Sequence, residues 1–278
     1  MYYDAHMHLN DAQLIDQWQS HIEAFLAVGG KWLIIVGTDY ASNASAISLV
    51  QSIKQTYGEQ LFCKATVGIH PAEVAYGNIS TQEKLDQAIV SLETQLNENK
   101  THVVALGECG LDAHYPGYEA NKWLQATLFT AQIRLAEKHQ LPLVVHSRDD
   151  FTGTLTLMRQ SPHLKRYLHC WSYSSSELLE LAHEFPQLRV GRCGNTSYPK
   201  AQSLRDSLIA CQQTNIHRLL ETDAPYLAPQ GKRGEINTSS NIPLLYAYTS
   251  DLLNLPLTEV QHIVAKNFID LYMPSNSE

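Results

Sequence analysis

The chain has 278 residues, of which 44% are hydrophobic and 17% charged, and this composition excludes an intrinsically disordered protein. Its formal net charge of −8 at pH 7 argues against a broad basic surface for nucleic acid, so any phosphate contact must come from a local patch or a bound metal ion. No apolar run is long enough to span a membrane, the five cysteines form no C-x-x-C pair, and the N-terminus shows no signal-peptide pattern. These features predict a cytoplasmic protein with reduced thiols and no membrane partner.

Eight strand-like runs alternate with helical patterns along the chain. The first is Tyr2–Ala5, which leads into His6 and His8, and the others are residues 31–37, 61–67, 102–107, 141–146, 166–169, 188–192 and 217–222. None is much longer than six or seven residues, and several are continuous apolar runs. Such runs are expected for parallel strands that are covered on both faces.

The segments between the strands carry helical signatures. Ser80–Glu83 has the pattern of a capping box, and apolar residues then recur at spacings of four and three at Leu85, Ile89, Leu92 and Leu96. The same spacing recurs at Leu124, Leu128, Ala131 and Leu135. Eight strands alternating with helices predict an α/β protein with a (β/α)₈ TIM barrel, formed by residues 1–278 as a single domain. The main alternative, a doubly wound open sheet, is disfavoured because no G-x-G-x-x-G follows the first strand.

Polar side chains cluster where the predicted strands end, which is where barrels carry catalytic residues. They are His6, His8, His70, Glu108, His146, Arg148, His169, Glu221 and Asp223. Alternate side chains of a strand share a face, so His6 and His8 should project together.

Six of these residues form a set typical of a binuclear metal centre. They are His6, His8, Glu108, His146, His169 and Asp223. Imidazoles and carboxylates suit Zn²⁺ or Mn²⁺, with Mg²⁺ possible if water completes its shell. A carboxylate can also bridge two ions about 3.5–4 Å apart. Taken singly, Glu108 could instead be a buried ion-pair partner and Asp223 a helix cap.

The motifs carrying these residues resemble those of the TatD family of metal-dependent hydrolases, which belongs to the amidohydrolase-like (β/α)₈ superfamily. They are D-x-H-x-H-L, G-I-H-P, G-E-x-G-L-D, H-S-R-D, H-C and E-T-D-A-P-Y-L-A-P, in order from Asp4 onward. The resemblance implies a deoxyribonuclease, with 3′→5′ exonuclease activity in some members. It assigns one ion to His6, His8 and Asp223 and the other to His146 and His169. Glu108 then bridges the two ions, and His70 lies beside them as a substrate contact or as a donor to a ligand.

Two segments depart from the family pattern. Trp171-Ser172-Tyr173 follows the H-C motif, where many members have Phe-Ser-Gly, and residues 192–196 (RCGNT) are also unusual. Both segments are expected to border the mouth of the barrel. They therefore bear on the choice of substrate rather than on metal binding.

The predicted centre indicates how hydrolysis could proceed. Two cations would make water nucleophilic, and Asp223 would orient that water and accept its proton, while Glu108 holds both ions. Arg148, Lys232 and Arg233 are candidates for binding phosphate, although the two loop residues could equally form a solvated turn. Glu221 could support a ligand or be a buried structural carboxylate. Aromatic residues near the mouth, Trp171, Tyr173 and Tyr226, could stack on bases or pack at the rim.

The leading functional prediction is therefore a metal-dependent phosphodiesterase that acts on DNA ends or short single strands. An esterase or amidohydrolase, such as an aminoacyl-tRNA deacylase, is the alternative, because the same centre would attack a carbonyl. A non-catalytic metal-binding protein is the third possibility. The sequence indicates no obligate protein partner.

Overall fold

Eight parallel strands form one sheet whose spatial order follows the sequence, and helices connect them. The strands are β1 (Tyr2–Met7), β2 (Gly30–Val36), β3 (Phe62–Val67), β4 (Val103–Asp112), β5 (Leu143–Arg148), β6 (Arg166–Leu168), β7 (Leu188–Arg192) and β8 (His217–Leu220). The helices are α1 (Trp18–Ala27), α2 (Tyr40–Tyr57), α3 (Ala72–Ala75), α4 (Gln82–Glu98), α5 (Tyr118–His139), α6 (Phe151–Met158), α7 (Ser175–Glu184), α8 (Gln202–Ala210), α9 (Ile242–Leu253) and α10 (Leu257–Tyr272). This computed structural model describes residues 1–214 and 216–273, so residues 215 and 274–278 of the predicted domain lie outside the described residues.

The first and last strands meet and bring the sheet back on itself. The backbone N–H of Asp223 donates to the carbonyl oxygen of His6 at 2.9 Å. The fully buried Asp4 carboxylate accepts the backbone N–H of Thr222 at 2.9 Å and the hydroxyl of Ser239 at 2.6 Å. The sheet therefore forms a nearly closed barrel, and the predicted (β/α)₈ fold is confirmed.

The fourth strand is longer than its apolar run predicts, because it continues to Asp112. Residues 110–112 of β4 pair in register with residues 146–148 of β5. Gly110 has a φ of 154°, and a side chain at that position would collide with the carbonyl oxygen of His146. The predicted strand ends at residue 107, whereas Gly110 allows the two strands to run on side by side. Both strands consequently carry polar residues to the mouth of the barrel.

Helix α4 shows the predicted apolar face with a cap shifted by one residue. The hydroxyl of Thr81 accepts the backbone N–H of Lys84 at 3.3 Å, so the helix is capped at Thr81 and not at Ser80. The leucines of its apolar face are buried, and so are those of α5. Within the described ranges, no helix is both long and apolar enough to cross a lipid bilayer.

Candidate metal centre

One group of donor atoms lies at the seam between β1 and β8. The Nε2 atoms of His6 and His8 are 3.3 Å apart. Oδ1 of Asp223 lies 3.6 Å from the first of these nitrogens and 3.4 Å from the second. Oε2 of Glu108, on β4, lies 3.3 and 3.7 Å from the same two atoms. We call these four atoms the first donor set.

The rings of the first donor set are oriented by their surroundings. Nδ1 of His8 lies 3.2 Å from the carbonyl oxygen of Val36. A carbonyl oxygen only accepts, so Nδ1 carries the proton and the lone pair of Nε2 faces the donor set. The ring of His6 stacks on that of His169, with centroids 4.1 Å apart and an angle of 9° between the planes. His6 and His8 are thus held in orientations that suit binding of a cation.

A second group of donor atoms surrounds the other oxygen of Glu108. Oε1 lies 2.9 Å from Nδ1 of His146 and 2.7 Å from Nε2 of His169. The two nitrogens are 3.2 Å apart. These three atoms are the second donor set. The two oxygens of one carboxylate therefore face separate sets, which is the arrangement a bridging ligand needs.

The distances within the two sets fit divalent ions. A four-coordinate ion with ligand bonds of about 2.0–2.2 Å has ligands about 3.3–3.6 Å apart, and the first set spans 3.3–3.7 Å. The second set is tighter, at 2.7–3.2 Å. That spacing is close to the roughly 3.0 Å between neighbouring ligands of a six-coordinate ion with bonds of about 2.1 Å. The donors present therefore fit two ions, and all six residues of the predicted set come together.

Asp112 orients His146, a role that the sequence reasoning missed. Its Oδ2 lies 2.9 Å from Nε2 of His146, and the residue is 1% exposed. The backbone N–H of Asp112 donates to the side-chain oxygen of Gln125 on α5 at 3.0 Å, which fixes the strand end. Nε2–H of His146 therefore donates to Asp112, and Nδ1 is left to face Glu108. The available signal was the position of Asp112, four residues after Glu108 on a strand that continues.

Replacing Asp112 should weaken the second donor set selectively. Asp112→Asn removes the charge that holds His146, so we expect a loss of metal affinity of about 10–100-fold, the range for residues that orient ligands. The loss should fall on the site containing His146, whereas the first donor set keeps its affinity. Isothermal titration calorimetry with Mn²⁺ would resolve the two sites. Equal weakening of both sites would contradict the assignment.

His70 presents a hydrogen-bond donor to the site, whereas the four histidines of the two donor sets present ring nitrogens to a metal ion. Its Nδ1 accepts the backbone N–H of Ala72 at 3.0 Å, so the neutral ring carries its proton on Nε2. Nε2 lies 3.4 Å from Oε1 of Glu108 and lines the same cavity. Burial lowers the pKa of His70, which favours the neutral ring. An N–H at this point suits an oxygen of a substrate better than it suits a metal ion.

The carboxylates of the centre are held in their charged form. Burial would raise the pKa of Glu108, but its interactions with the surrounding histidine rings, those of His169 and His70 foremost, outweigh burial and hold that pKa well below its usual range. Burial likewise opposes ionisation of Asp223, and a hydrogen bond from the protonated form of His8 lowers its pKa nevertheless. Ionised carboxylates are the form that metal binding requires.

The pKa values of the imidazoles in the centre shift in opposite directions. Burial lowers the pKa of His6 to about 4, so this ring is neutral near pH 7. Burial alone would also lower the pKa of His146, but hydrogen bonds to Asp112 and Glu108 raise it to about 10. The carboxylates of the centre therefore attract positive charge strongly.

A cavity of about 790 Å³ opens from the donor sets to solvent. Its described lining includes one arginine, Arg148, and no lysine, together with six carboxylates. The rings of Tyr76 and Tyr115 meet edge to face at its rim, with centroids 5.4 Å apart, and Tyr76 is 68% exposed. Tyr226, in the loop after β8, also lines the cavity and donates its hydroxyl to Asp11 at 3.0 Å. The cavity is thus acidic at its base and aromatic at its rim.

Other predicted substrate contacts lie away from the lining of this cavity. Lys232 pairs with Glu235 at 3.1 Å, and the guanidinium of Arg233 lies 4.5 Å from the centre of the Tyr198 ring. Both residues belong to the loop after β8. Their predicted contact with phosphate stays a prediction.

The aromatic residues after His169 are largely buried. Trp171 is only 3% exposed, and both Trp171 and Tyr173 pack against Phe151. The hydroxyl of Tyr173 lies 2.8 Å from that of Ser147. Trp171 is therefore a packing residue, and its ring is not available to stack on a base.

Glu221 forms structural hydrogen bonds near the second donor set. It is fully buried and accepts the hydroxyl of Tyr167 and the backbone N–H of Cys170. Its Oε1 lies 3.9 Å from Nδ1 of His169, too far for a hydrogen bond. Burial and the charge of Asp223 raise the pKa of Glu221 well above its usual range. Its direct contacts are therefore with the walls of the barrel rather than with the metal-facing rings.

The comparisons with known proteins agree on one family. The sequence profile of the family described as "TatD related DNase" matches residues 3–273. A protein of Mycoplasma pneumoniae described as an uncharacterized metal-dependent hydrolase is 27% identical over 275 residues, covering 98% of this chain and 99% of that protein. A 3′-5′ ssDNA/RNA exonuclease TatD of Citrobacter koseri is 29% identical over 233 residues, covering 82% of this chain and 80% of that protein.

A solved structure of similar fold supports the architecture. The crystal structure of YjjV, a TatD homolog from Escherichia coli K12, matches with a TM-score of 0.82 at 21% identity, covering 99% of this chain and 98% of that one. At this identity, the likeness supports the barrel fold alone. The profile match extends over nearly the whole described chain. The chain therefore belongs to the TatD-related DNase family and is a metal-dependent hydrolase of that family.

Proposed function

We propose that this protein is a metal-dependent nuclease that cleaves phosphodiester bonds at the ends of single-stranded DNA or RNA. The observation that carries the proposal is the position of Glu108, whose two oxygens face two separate donor sets at the base of an open cavity. Two ions held in this way would supply Lewis acidity that promotes phosphodiester hydrolysis. Relatives named as 3′-5′ ssDNA/RNA exonucleases favour the same chemistry.

The residues around the donor sets have distinct roles in this proposal. Asp223 belongs to the first donor set and is 8% exposed, so it can also orient a water molecule and accept its proton. The Nε2–H of His70 is placed to donate to an oxygen of the scissile phosphate. Arg148 adds a positive charge at the end of β5.

Because the cavity carries a net negative charge, a phosphodiester should need bound metal ions in order to bind there. Six carboxylates against one arginine would repel a phosphodiester. Divalent cations at the donor sets reverse that balance locally. We therefore expect chelation to abolish binding of an oligonucleotide and not only its cleavage.

The aromatic rim favours a single strand over a duplex. Tyr76 is 68% exposed and Tyr115 half-buried where their rings meet, and Tyr226, in the loop after β8, is 49% exposed. Unpaired bases can stack on such rings irrespective of sequence, with about 1–3 kcal/mol per base. Paired bases are already stacked and offer no free face.

A panel of labelled substrates tests the proposed function. Purified protein loaded with Mn²⁺, Zn²⁺ or Mg²⁺ would be given single-stranded DNA, duplex DNA, RNA and D-aminoacyl-tRNA, with the nucleic acids labelled at either end. We expect shortening of the single strands from the 3′ end, and duplex cleavage that is much slower. Hydrolysis of the aminoacyl ester alone would overturn the nuclease proposal in favour of a deacylase, and inactivity on all four would overturn both.

Arg148 should account for one phosphate contact. In Arg148→Ala we expect KM for single-stranded DNA to rise. The slope of log KM against log salt concentration should fall by about one, the change expected for the loss of one phosphate contact. The double variant Lys232→Ala/Arg233→Ala provides the comparison, because those side chains pair with Glu235 and Tyr198 outside the cavity. A wild-type slope in Arg148→Ala would remove Arg148 from the substrate site. A reduced slope in the double variant would place a contact on its loop, as the sequence predicts.

A further inference from the structure

Two cysteines lie beside Asp223, a residue of the first donor set. Cys170 follows β6 and Cys193 follows β7, and a carboxylate oxygen of Asp223 completes a group whose three donor atoms all lie within 4.8 Å of one another. In the described residues, this is the one group of three or more donors that contains sulfur. The five cysteines are free thiols, and the other three take no part in such a group.

Contacts with Glu221 tie both cysteines to the same carboxylate oxygen. Sγ of Cys193 donates to Oε1 of Glu221 at 3.0 Å, and the backbone N–H of Cys170 donates to that same oxygen. The backbone N–H of Trp171 donates to the carbonyl oxygen of Gly191 at 3.1 Å, which holds the two strand ends together. The two sulfur atoms therefore stay close because the sheet positions them.

Access to this group is one-sided. Cys170 is partly exposed and lines the open cavity, whereas Cys193 is 1% exposed. Cys170 has a φ of 44° and Asp223 a φ of 53°, a region that non-glycine residues rarely occupy. A small ion entering from the cavity would meet Cys170 and Asp223 first and Cys193 behind them.

We propose that Cys170, Cys193 and Asp223 form a further binding site, which adjoins the first donor set and shares Asp223 with it, for a thiophilic divalent cation such as Zn²⁺, Co²⁺ or Cd²⁺. Two sulfur donors select such ions over Mg²⁺ and Mn²⁺, which prefer oxygen. Binding releases the two thiol protons to solvent and forms two metal–sulfur bonds without any change of oxidation state. Glu221, already hydrogen-bonded to Cys193, offers a fourth donor atom within reach. The site does not depend on the proposed nuclease activity.

Absorption spectroscopy with Co²⁺ tests the site directly. Thiolate–cobalt bonds give an intense near-ultraviolet charge-transfer band, whereas imidazole and carboxylate ligands give none. We expect reduced protein in oxygen-free buffer to develop this band on titration with Co²⁺. Cys170→Ser and Cys193→Ser should each weaken the band, and the double variant should lose it, whereas Cys63→Ser, a change at a buried cysteine on β3, should leave it unchanged. Absence of the band in wild-type protein with its thiols shown to be free would overturn the proposal.

An alkylation assay on wild-type protein avoids any dependence on variants that fail to fold. Iodoacetamide should modify Cys170 through the open cavity, and mass spectrometry of peptides would follow the rate. Zn²⁺ should slow this reaction at least tenfold, whereas Mn²⁺ should leave it nearly unchanged. Equal protection by both ions would mean that occupancy of the histidine sites alone shields the thiol, and the proposed sulfur site would be wrong.

Discussion

Glu108→Gln is expected to lose metal from both donor sets at once. The substitution keeps the size of the side chain but removes the charge that Oε1 and Oε2 share between five histidine nitrogens. Residues that merely orient ligands change affinity by about 10–100-fold, so a ligand common to both ions should cost at least that much at each. Elemental analysis after dialysis, together with calorimetry, would measure the occupancy of the two sites.

The comparison variant for this experiment is Glu73→Gln. Glu73 lines the same cavity, but it accepts the side chain of Asn78 and belongs to neither donor set. It should keep full occupancy, which separates the loss of a ligand from a general loss of negative charge. If Glu108→Gln retained one site at full affinity, Glu108 would be a ligand of the other ion only, and the bridge would be wrong.

Asp223→Asn is expected to lower kcat by about 10²–10⁴-fold, the contribution that general bases typically make. Asparagine preserves one oxygen near His6 and His8 but cannot accept a proton near pH 7. The backbone at this position has a φ of 53°, which asparagine tolerates as well as aspartate does. An alanine variant would add strain and confuse the outcome.

Excess metal distinguishes the two roles of Asp223. A variant that had only lost a ligand would regain its rate at saturating metal concentration, whereas one that had lost its base would stay slow. Asp149→Asn is a matched control, because Asp149 has a φ of 59° and is exposed beside His114. It should turn over substrate like the wild type. Near-normal kcat for Asp223→Asn at saturating metal would leave Asp223 as a ligand only.

The strands and the metal-facing residues could be read from the sequence because local patterns determine them. Each apolar run that predicts a strand forms one, and its start differs from the prediction by at most two residues. In a parallel barrel, strand ends converge by geometry, so residues as distant as His8 and His169 could be placed together without any knowledge of their contacts. The position of a residue along its own strand was sufficient for this purpose.

The remaining features depend on contacts that no local pattern encodes. Asp112 holds His146 only because β4 continues beside β5 past Gly110. Trp171 is buried by Phe151, a residue of the preceding crossover, so its aromatic character alone gave no indication of its exposure. Tyr76 and Tyr115 come from two different loops, and their edge-to-face contact is visible only in three dimensions.

The contact between β1 and β8 means that the first donor set can form only after nearly the whole chain has been synthesised. The hydrogen bond from Thr222 to Asp4 joins residues 218 positions apart, and the first donor set combines atoms from the same two distant segments. During translation, His6 and His8 emerge from the ribosome first and Asp223 emerges only near the end. Contacts between such remote segments carry the entropic cost of closing a long loop, which slows their formation. A chain cut short before β8 would therefore carry two histidines with no aspartate to face them.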